Sequence, residues 1–282
     1  MRDAPIFQRD RVTVVGVLNA TPDSFSDGGR LLAGDGRPDL RAVVVRARAL
    51  LEAGADVLDV GGESTRPGAA PVAVAEEIAR TRPVIEALTK EFPAPVSIDT
   101  RRRAVAEAAL DAGARIVNDV SGGRHDPELL GAVARGGAAL IVGHLRGEPA
   151  TMQRDVHFDD VVAEVGAELA AALGAAREAG IPDERLVADP GIGFGKRLEH
   201  NLALLANAGA LRARLGVPLL VGPSRKAFLG ELTGEPVEAR DPATAVACGI
   251  AVFAGADAVR VHDVAGARRA ARIALALRGA AA

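Results

Sequence analysis

Polar and cationic side chains follow the last two apolar runs of the sequence, and their types suit the binding of an anion. Ser224, Arg225 and Lys226 come directly after one run, and Arg260 and His262 close the next. Because alternate residues of a strand point to the same side, Arg260 and His262 would face one site together. Hydroxyl, ammonium and guanidinium groups at a helix start are common donors to phosphate. The pattern predicts a phosphate site, and a surface charge pair is the weaker alternative.

The use of lysine at Lys226 supports this prediction, because the chain rarely uses lysine. Only three of its 34 basic residues are lysines, at positions Lys90, Lys196 and Lys226. Arginine is the default cation of this protein, so a lysine indicates a need for a compact ammonium group.

Earlier apolar runs also end in side chains that can contact a ligand. Asp99 closes one run, Asn118 lies at the end of the next, and Asp189 precedes a proline that keeps its backbone extended. An amide both donates and accepts hydrogen bonds, which makes Asn118 a good candidate. For Asp99 and the following Thr100 taken alone, a helix cap is the preferred interpretation. A lone histidine, His144, follows the fifth run, where a structural role is the more common one.

Three loops are rich in glycine or in hydrogen-bonding side chains. The loop after Asn19 extends to about residue 37, and both a lid carrying Phe25 and a plain polar loop are compatible with it. The next loop has two glycines, which let a backbone approach a ligand, and then Thr65 and Arg66, which supply a hydroxyl and a planar cation. A later loop with glycines at positions 191, 193 and 195 is either a phosphate-binding nest or a flexible turn.

The elements that must position these residues alternate regularly along the chain. Eight short runs rich in Val, Ile and Leu alternate with eight helix-compatible segments, which is typical of a parallel barrel. We predict a single α/β domain over residues 1–282, a (β/α)8 TIM barrel with long loops after strands 1 and 2. A doubly wound open sheet is the structural alternative. In a barrel, the strand ends described above share one rim.

The predicted strands are residues 12–19, 55–61, 95–99, 114–119, 138–144, 185–190, 218–223 and 258–262. The predicted helices are residues 39–53, 74–91, 101–112, 127–135, 158–179, 198–215, 242–254 and 265–277.

The composition argues against several other classes of protein. A net charge of −3 over 282 residues argues against a dominant nucleic-acid or membrane surface. No stretch reaches about 18 uncharged apolar residues, so we predict no membrane span, and residues 1–11 do not resemble a signal peptide. The single cysteine, Cys248, excludes an internal disulfide and lies in an apolar run, where a buried thiol is expected. A cytoplasmic location is the resulting expectation.

Seven motifs at these strand ends resemble those of dihydropteroate synthases, and the likeness extends from about Val12 to Val264. The seven motifs are Asn19-Ala-Thr-Pro-Asp-Ser-Phe-Ser-Asp-Gly-Gly, Gly61-Gly-Glu-Ser-Thr-Arg-Pro-Gly-Ala, Ser97-Ile-Asp-Thr, Val117-Asn-Asp-Val-Ser-Gly-Gly, Asp189-Pro-Gly-Ile-Gly-Phe-Gly-Lys, Ser224-Arg-Lys and Arg260-Val-His-Asp-Val. The resemblance implies a barrel that condenses 6-hydroxymethyl-7,8-dihydropterin pyrophosphate with p-aminobenzoate. The products would be 7,8-dihydropteroate and pyrophosphate, as in folate biosynthesis.

The resemblance also implies roles for individual residues, each carried over from a matching motif. The expected pterin-binding residues are Asp99, Asn118, Asp189 and Lys226. The expected pyrophosphate-binding residues are Asn19, Arg260 and His262, and the expected Mg²⁺ ligand is Asn19. The expected p-aminobenzoate-binding residues are Phe25, Thr65, Arg66, Pro67, Phe194 and Ser224. The expected catalytic residues are Asp99, Asp189, Lys226, Arg260 and His262.

The chain departs from the pattern of many family members at two positions. Ala227 stands where many have serine, so the amides at the helix start must hold more of the p-aminobenzoate carboxylate. Leu145 stands where many have methionine, and we expect little effect because apolar bulk is kept.

Two other functions compete with the one that the resemblance implies. A pterin-binding methyltransferase domain has no pyrophosphate to stabilise, so the motifs at Ser224 and Arg260 argue against it. A non-catalytic pterin-binding paralogue would be expected to lose the loop residues that this chain keeps. We therefore expect an active synthase that sulfonamides inhibit, and the resemblance implies a homodimer.

Overall fold

The computed structural model describes residues 6–7, 11–19, 37–64 and 72–281, which form a barrel of eight parallel strands surrounded by helices. The predicted (β/α)8 barrel is confirmed, and the open-sheet alternative is wrong. The strands are β1 (Thr13–Asn19), β2 (Val57–Gly61), β3 (Val96–Asp99), β4 (Ile116–Asp119), β5 (Ala139–Gly143), β6 (Leu186–Asp189), β7 (Leu220–Val221) and β8 (Ala258–Val261).

The barrel closes between β6 and β7 through very few contacts. The strands hydrogen-bond in the order β6-β5-β4-β3-β2-β1-β8-β7. A single bridge between Ala188 and Leu219 joins the two ends of this order, and the backbone N–H of Ala188 donates to Pro218 O at 2.9 Å. Strand β7 is shorter than the predicted run 218–223 because the prolines at both ends of that run have no N–H for a ladder.

Ten α-helices lie within the described residues, two more than the sequence predicts. None of them is long and apolar enough to cross a membrane. The helices are α1 (Leu40–Glu52), α2 (Val74–Glu91), α3 (Arg103–Asp111), α4 (Glu128–Gly136), α5 (Val161–Glu178), α6 (Leu198–Ala206), α7 (Ala208–Leu215), α8 (Ala227–Thr233), α9 (Asp241–Phe253) and α10 (Val264–Ala281).

The two additional helices have local causes. The predicted segment 198–215 divides into α6 and α7 because Asn207 leaves helical geometry, with φ −104° and ψ 23°. Its side-chain Nδ2 donates to Ala203 O at 2.8 Å, the same carbonyl that accepts from the Asn207 N–H at 3.0 Å. Helix α8 is a short helix in the loop after β7, and it ends at Gly234, which adopts a left-handed conformation with φ 72°.

Apolar side chains fill both the barrel interior and the layer between the strands and the helices. Val57 and Leu58 are both fully buried although neighbouring residues of a strand point to opposite faces. This explains why the apolar runs do not alternate, and each such side chain contributes about 1.5–3 kcal/mol by burial. Cys248 is also fully buried, as expected, and burial raises the pKa of its thiol to about 12, which disfavours the nucleophilic thiolate.

The strand register brings the predicted polar residues to one rim of the barrel. Asn19 at the end of β1 is the register partner of Gly61 on β2, and Gly61 is the partner of Asp99 on β3. Asp99 is in turn the partner of Asn118 on β4. The C-terminal rim therefore carries the side chains of Asn19, Asp99 and Asn118 on nearby strands, as the end-of-strand pattern predicts.

Candidate active site

A cavity of about 790 Å³ opens at the C-terminal rim of the barrel, within the size range of small-molecule sites. Asn118 and Asp189 lie at the same rim, at the ends of β4 and β6, and Asn118 is only 6 % exposed. The predicted site residues that line the cavity are Asn19, Asp99, Phe194, Ser224, Lys226, Arg260 and His262. The predicted site residues that lie outside the described residues are Phe25, Thr65, Arg66 and Pro67.

Arg260 bridges two carboxylates in the wall of this cavity. Its Nε donates to Asp59 Oδ2 at 2.6 Å, and its Nη2 donates to Asp99 Oδ2 at 2.7 Å. The single positive charge of Arg260 thus balances the carboxylates of both Asp59 and Asp99. Burial raises the pKa of Asp99 to about 7, with Arg260 opposing the rise and Asp59 adding to it. Burial opposes the charge of Arg260, but the two carboxylates raise its pKa above the usual value, so it stays protonated.

Asp59 is a site residue that the sequence analysis does not predict. It is fully buried, and its Oδ2 also accepts a long hydrogen bond of 3.4 Å from Asn118 Nδ2. This contact leaves Asn118 Oδ1 available to accept from a ligand. Strand alternation places Asp59 on the same face as Gly61 at the rim, which is the sequence feature that indicates its position. Asp59 therefore orients both Arg260 and Asn118.

Asp189 is held in place by the loop that follows β6. Its Oδ1 accepts from the backbone N–H of Gly191 at 2.8 Å. Gly191 has φ 67°, and a Cβ there would lie 1.9 Å from His144 O, so only glycine fits. Burial raises the pKa of Asp189, and the Gly191 amide and the cations Lys226 and Arg260 oppose the rise. The carboxylate therefore has a fixed orientation and can offer Oδ2 to a ligand.

The glycines of this loop do not form a phosphate-binding nest. The amide of Gly191 donates to Asp189, and the amide of Gly193 donates to Asn201 Oδ1 at 2.6 Å. Because these N–H groups are directed to side chains of the protein, they are not presented to an anion. Their positive φ angles indicate a tightly fixed turn instead.

Lys226 and Phe194 face each other across one side of the cavity. The Nζ of Lys226 lies 3.7 Å from the centroid of the Phe194 ring, a cation–π contact. Phe194 also packs against a small apolar cluster that contains Leu145 and Met152. Leu145 is one of the buried apolar residues of this cluster, and the small effect expected of it remains a prediction. The pair provides an apolar wall beside a positive charge.

Ser224 fixes the orientation of His262. The backbone N–H of His262 donates to Ser224 Oγ at 3.1 Å, and the same Oγ lies 2.8 Å from His262 Nδ1. The hydroxyl can therefore donate to Nδ1, and the proton of a neutral imidazole then resides on Nε2. Arg225 also lines the cavity, but its Nε and Nη2 each lie 2.7 Å from a carboxylate oxygen of Asp241. Of the two cations predicted after β7, Lys226 is the one that meets Phe194 in the cavity.

Comparison with known proteins agrees with this arrangement. The sequence model of the pterin binding enzyme family matches residues 15–262. The dihydropteroate synthase of Synechocystis sp. is 45% identical over 90% of this chain and 86% of the relative. That of Escherichia coli K12 is 42% identical over 89% and 86%. The chain belongs to the dihydropteroate synthases.

A solved structure of the family agrees with this membership. The Yersinia pestis dihydropteroate synthase in complex with a sulfonamide drug has a TM-score of 0.89 to this chain, with 39% identity over 96% of both chains. The chain is thus a transferase of folate synthesis. A methyltransferase domain and a non-catalytic paralogue are accordingly set aside.

Two further side chains, which the sequence analysis does not single out, support the loops beside the cavity. Arg102 Nη2 donates to Glu63 Oε1 at 2.8 Å, and its Nη1 donates to Val72 O at 2.6 Å. Arg102 thereby links Glu63 to Val72, which lie on either side of residues 65–71. Gln153 Nε2 donates to Gly193 O at 2.8 Å and supports the loop after β6. These contacts join distant parts of the chain, so residue spacing does not predict them.

Proposed function

We propose that the cavity holds a pterin pyrophosphate and p-aminobenzoate together and joins them at the methylene carbon of the pterin. The observation that carries this proposal is that acceptors, cations and an aromatic wall line one cavity. Asp99 supplies an acceptor, Arg260 and Lys226 supply cations, and Phe194 supplies the wall. The Yersinia pestis relative, which was solved with a sulfonamide drug, supports the assignment of p-aminobenzoate, which such drugs resemble.

The pterin ring is assigned to the acceptor side of the rim. A pterin edge presents a ring N–H beside an amino group, and a carboxylate such as Asp189 can accept from both. Asn118 Oδ1 can accept a further hydrogen bond, because its Nδ2 is directed to Asp59. Lys226 can donate to a ring acceptor from the other side. The assigned residues therefore complement both the donors and the acceptors of the ring.

The pyrophosphate is assigned to the cationic side, where its leaving charge is stabilised. When the bond between the methylene carbon and the pyrophosphate oxygen breaks, the electron pair leaves with the pyrophosphate. Arg260, Lys226 and the Nε2–H of His262 can meet that charge. The electron-rich pterin ring, with Asp99 and Asp189 nearby, favours the methylene cation. The amine of p-aminobenzoate then forms the new C–N bond and releases one proton, so no covalent nucleophile is needed.

Asn19 is the residue that would hold Mg²⁺ with the pyrophosphate. It lines the cavity at the end of β1, and its Oδ1 lies 3.4 Å from where a Cβ of Gly61 would be. The described residues contain no cluster of three His, Cys, Asp or Glu side chains, so most ligands would come from pyrophosphate and water. This fits Mg²⁺, which prefers oxygen ligands and usually takes few from the protein. The ion would supply positive charge to the leaving group.

Steady-state assays of dihydropteroate formation test these assignments. Activity is expected to disappear when a chelator removes Mg²⁺ and to return when Mg²⁺ is added back. A sulfonamide is expected to raise the KM for p-aminobenzoate without lowering kcat. If the sulfonamide instead competes with the pterin pyrophosphate, the assignment of the Phe194 wall to p-aminobenzoate is wrong.

A second copy of the chain is the proposed partner of an apolar face on α9 and α10. Val246, Ile250 and Phe253 form a stripe on α9 and are 50–62 % exposed. Ile273 and Leu277 form a stripe on α10, which packs against α9. Large apolar side chains that lie together on a surface commonly mark a protein interface. A symmetric dimer would bury this face of both copies at once.

Replacing Ile250 by glutamate is expected to convert this dimer to a monomer. Burying an unpaired charge costs about 3–5 kcal/mol, so dimer affinity should fall by a factor of at least about 100. The measurement is molar mass by light scattering after size exclusion. Val45→Glu is the matched control, because Val45 is 64 % exposed on α1 and lies outside the two apolar stripes. A parent protein that is monomeric, or a dimer that survives Ile250→Glu, would contradict the proposal.

A further inference from the structure

A chain of three titratable side chains runs from the cavity wall toward the outside of the barrel. Lys196 Nζ lies 2.9 Å from His144 Nδ1, and His144 Nε2 lies 3.0 Å from Glu168 Oε2 on α5. Lys196 is 3 % exposed and His144 is 1 % exposed, whereas the Glu168 side chain is 29 % exposed. The condensation proposed above assigns no role to any of the three. Buried ionisable groups at a site usually have a function there, which motivates the inference below.

The hydrogen-bond chemistry of Lys196 fixes the state of His144. Burial lowers the pKa of Lys196 to about 7, and the nearby Asp189 opposes the fall. In its ammonium form Lys196 only donates, so His144 Nδ1 then accepts and the ring proton resides on Nε2, facing Glu168. Burial and the nearby Lys196 lower the pKa of His144 to about 3, so the ring stays neutral. Burial acts to raise the pKa of Glu168, but hydrogen bonds and charge from Arg146 and His144 outweigh it and hold that pKa below the usual value. The three groups thus form one polarised chain of donors and acceptors.

Lys196 connects this chain to the aromatic wall of the cavity. Its Nζ also donates to Phe194 O at 2.9 Å, and the Phe194 ring lies 3.7 Å from Lys226 Nζ. A Cβ added to Gly193 would lie 2.9 Å from Lys226 Cδ, so this loop has little freedom beside Lys226. A movement of the Phe194 backbone would therefore change the space between its ring and Lys226.

The residue type supports a dedicated role for Lys196. This chain uses lysine at three positions and arginine at the other 31 of its 34 basic residues. A compact ammonium can donate to His144 Nδ1 and Phe194 O from one atom, whereas a planar guanidinium spreads its donors over a larger area. Lys196 is also almost completely buried.

We propose that Lys196, held by His144 and Glu168, is a positioning residue that sets the p-aminobenzoate side of the cavity by fixing the backbone of Phe194. This inference rests on the proposed function, because it assigns the Phe194 wall to p-aminobenzoate. It predicts that loss of the chain raises the KM for p-aminobenzoate much more than the KM for the pterin pyrophosphate, on which Lys196 acts only through its charge near Asp189.

Kinetics of Lys196→Met separate this role from a merely structural one. Methionine keeps the length and removes the donors, so the KM for p-aminobenzoate is expected to rise about 10-fold or more. The KM for the pterin pyrophosphate is expected to stay within about twofold of the parent value. Equal changes in both KM values, or no change in either, would overturn the inference.

Two substitutions on α5 supply a matched pair for the outer end of the chain. Glu168 and Glu164 both bind Arg146, through its Nε at 2.9 Å and its Nη2 at 2.7 Å, but only Glu168 contacts His144. Glu168→Gln is expected to raise the KM for p-aminobenzoate by a smaller factor, and Glu164→Gln to leave it unchanged. Equal effects of the two substitutions on the KM for p-aminobenzoate would mean that pairing with Arg146, rather than the chain to Lys196, determines this KM.

Nitrogen NMR of isotopically labelled histidine gives a readout that does not depend on turnover. In the parent protein, His144 is expected to show a protonated Nε2 and a hydrogen-bonded, unprotonated Nδ1. In Lys196→Met, the Nδ1 resonance is expected to shift toward that of a nitrogen without a donor, and an unchanged resonance would overturn the inference. A parent protein that forms no dihydropteroate would refute the proposed function, whereas this spectrum would still report on the chain.

Discussion

Replacing Lys226 by methionine is expected to lower kcat/KM by a factor of about 10²–10³, because a positioned cation near developing charge contributes about that much to catalysis. The Nζ of Lys226 lies on the Phe194 ring and favours the ionised forms of Asp99 and Asp189. It thus stands between the part of the cavity assigned to the pterin and the part assigned to p-aminobenzoate. Its loss should affect the reaction of both substrates.

The fold should tolerate this substitution, which allows a clean comparison. The measurement is steady-state kinetics on the variant, with circular dichroism to confirm the fold, since the chain has no Trp or Tyr for fluorescence. Lys90→Met is the control, because Lys90 is an exposed lysine in the last turn of α2. If Lys226→Met retains kcat/KM within about threefold of the parent, its assigned role in the transition state is wrong.

Replacing Asp189 by asparagine is expected to lower kcat/KM for the pterin pyrophosphate by a factor of about 10³ or more. The substitution places an NH₂ donor where the ring N–H and the amino group of the pterin need an acceptor. Because two donors then face each other without an acceptor, binding of the pterin should weaken strongly. The KM for p-aminobenzoate should change little. Because burial raises the pKa of Asp189, a neutral amide should not lower the stability of the fold.

Calorimetric titration with the pterin pyrophosphate and thermal unfolding test this prediction together. Binding of the pterin should weaken while the unfolding temperature stays close to that of the parent. Asp183→Asn is the control, since Asp183 lies in the short turn before β6 with a side chain that is 63 % exposed. Tight pterin binding by the Asp189→Asn variant would show that the carboxylate does not hold the ring.

The sequence predicts the barrel and much of its rim because the relevant information is local. Each short apolar run identifies a strand, and the polar residue where it ends must lie at the C-terminal rim once the strands are parallel. Asp99, Asn118 and Asp189 are placed correctly for this reason. The division of the segment 198–215 at Asn207 is less evident, because an asparagine within an apolar helical pattern can also face solvent.

The parts of the site that the sequence does not predict depend on contacts between distant residues. Asp59 and Arg260 are 201 positions apart, and Lys196 and His144 are 52 positions apart. These pairs meet because their strands lie side by side or one strand apart in the sheet, and residue spacing alone does not show which side chains then touch. His144 illustrates this limit: its sequence context favours a structural role, but the structure connects it to the cavity through Lys196.

The most direct test of the central claim is to measure dihydropteroate and pyrophosphate together. The purified protein is given the pterin pyrophosphate and Mg²⁺, with and without p-aminobenzoate. The account predicts equal amounts of the two products when p-aminobenzoate is present and no dihydropteroate when it is omitted. Pyrophosphate release without dihydropteroate in the complete mixture, or no turnover at all, would contradict the assignment of this cavity to the condensation.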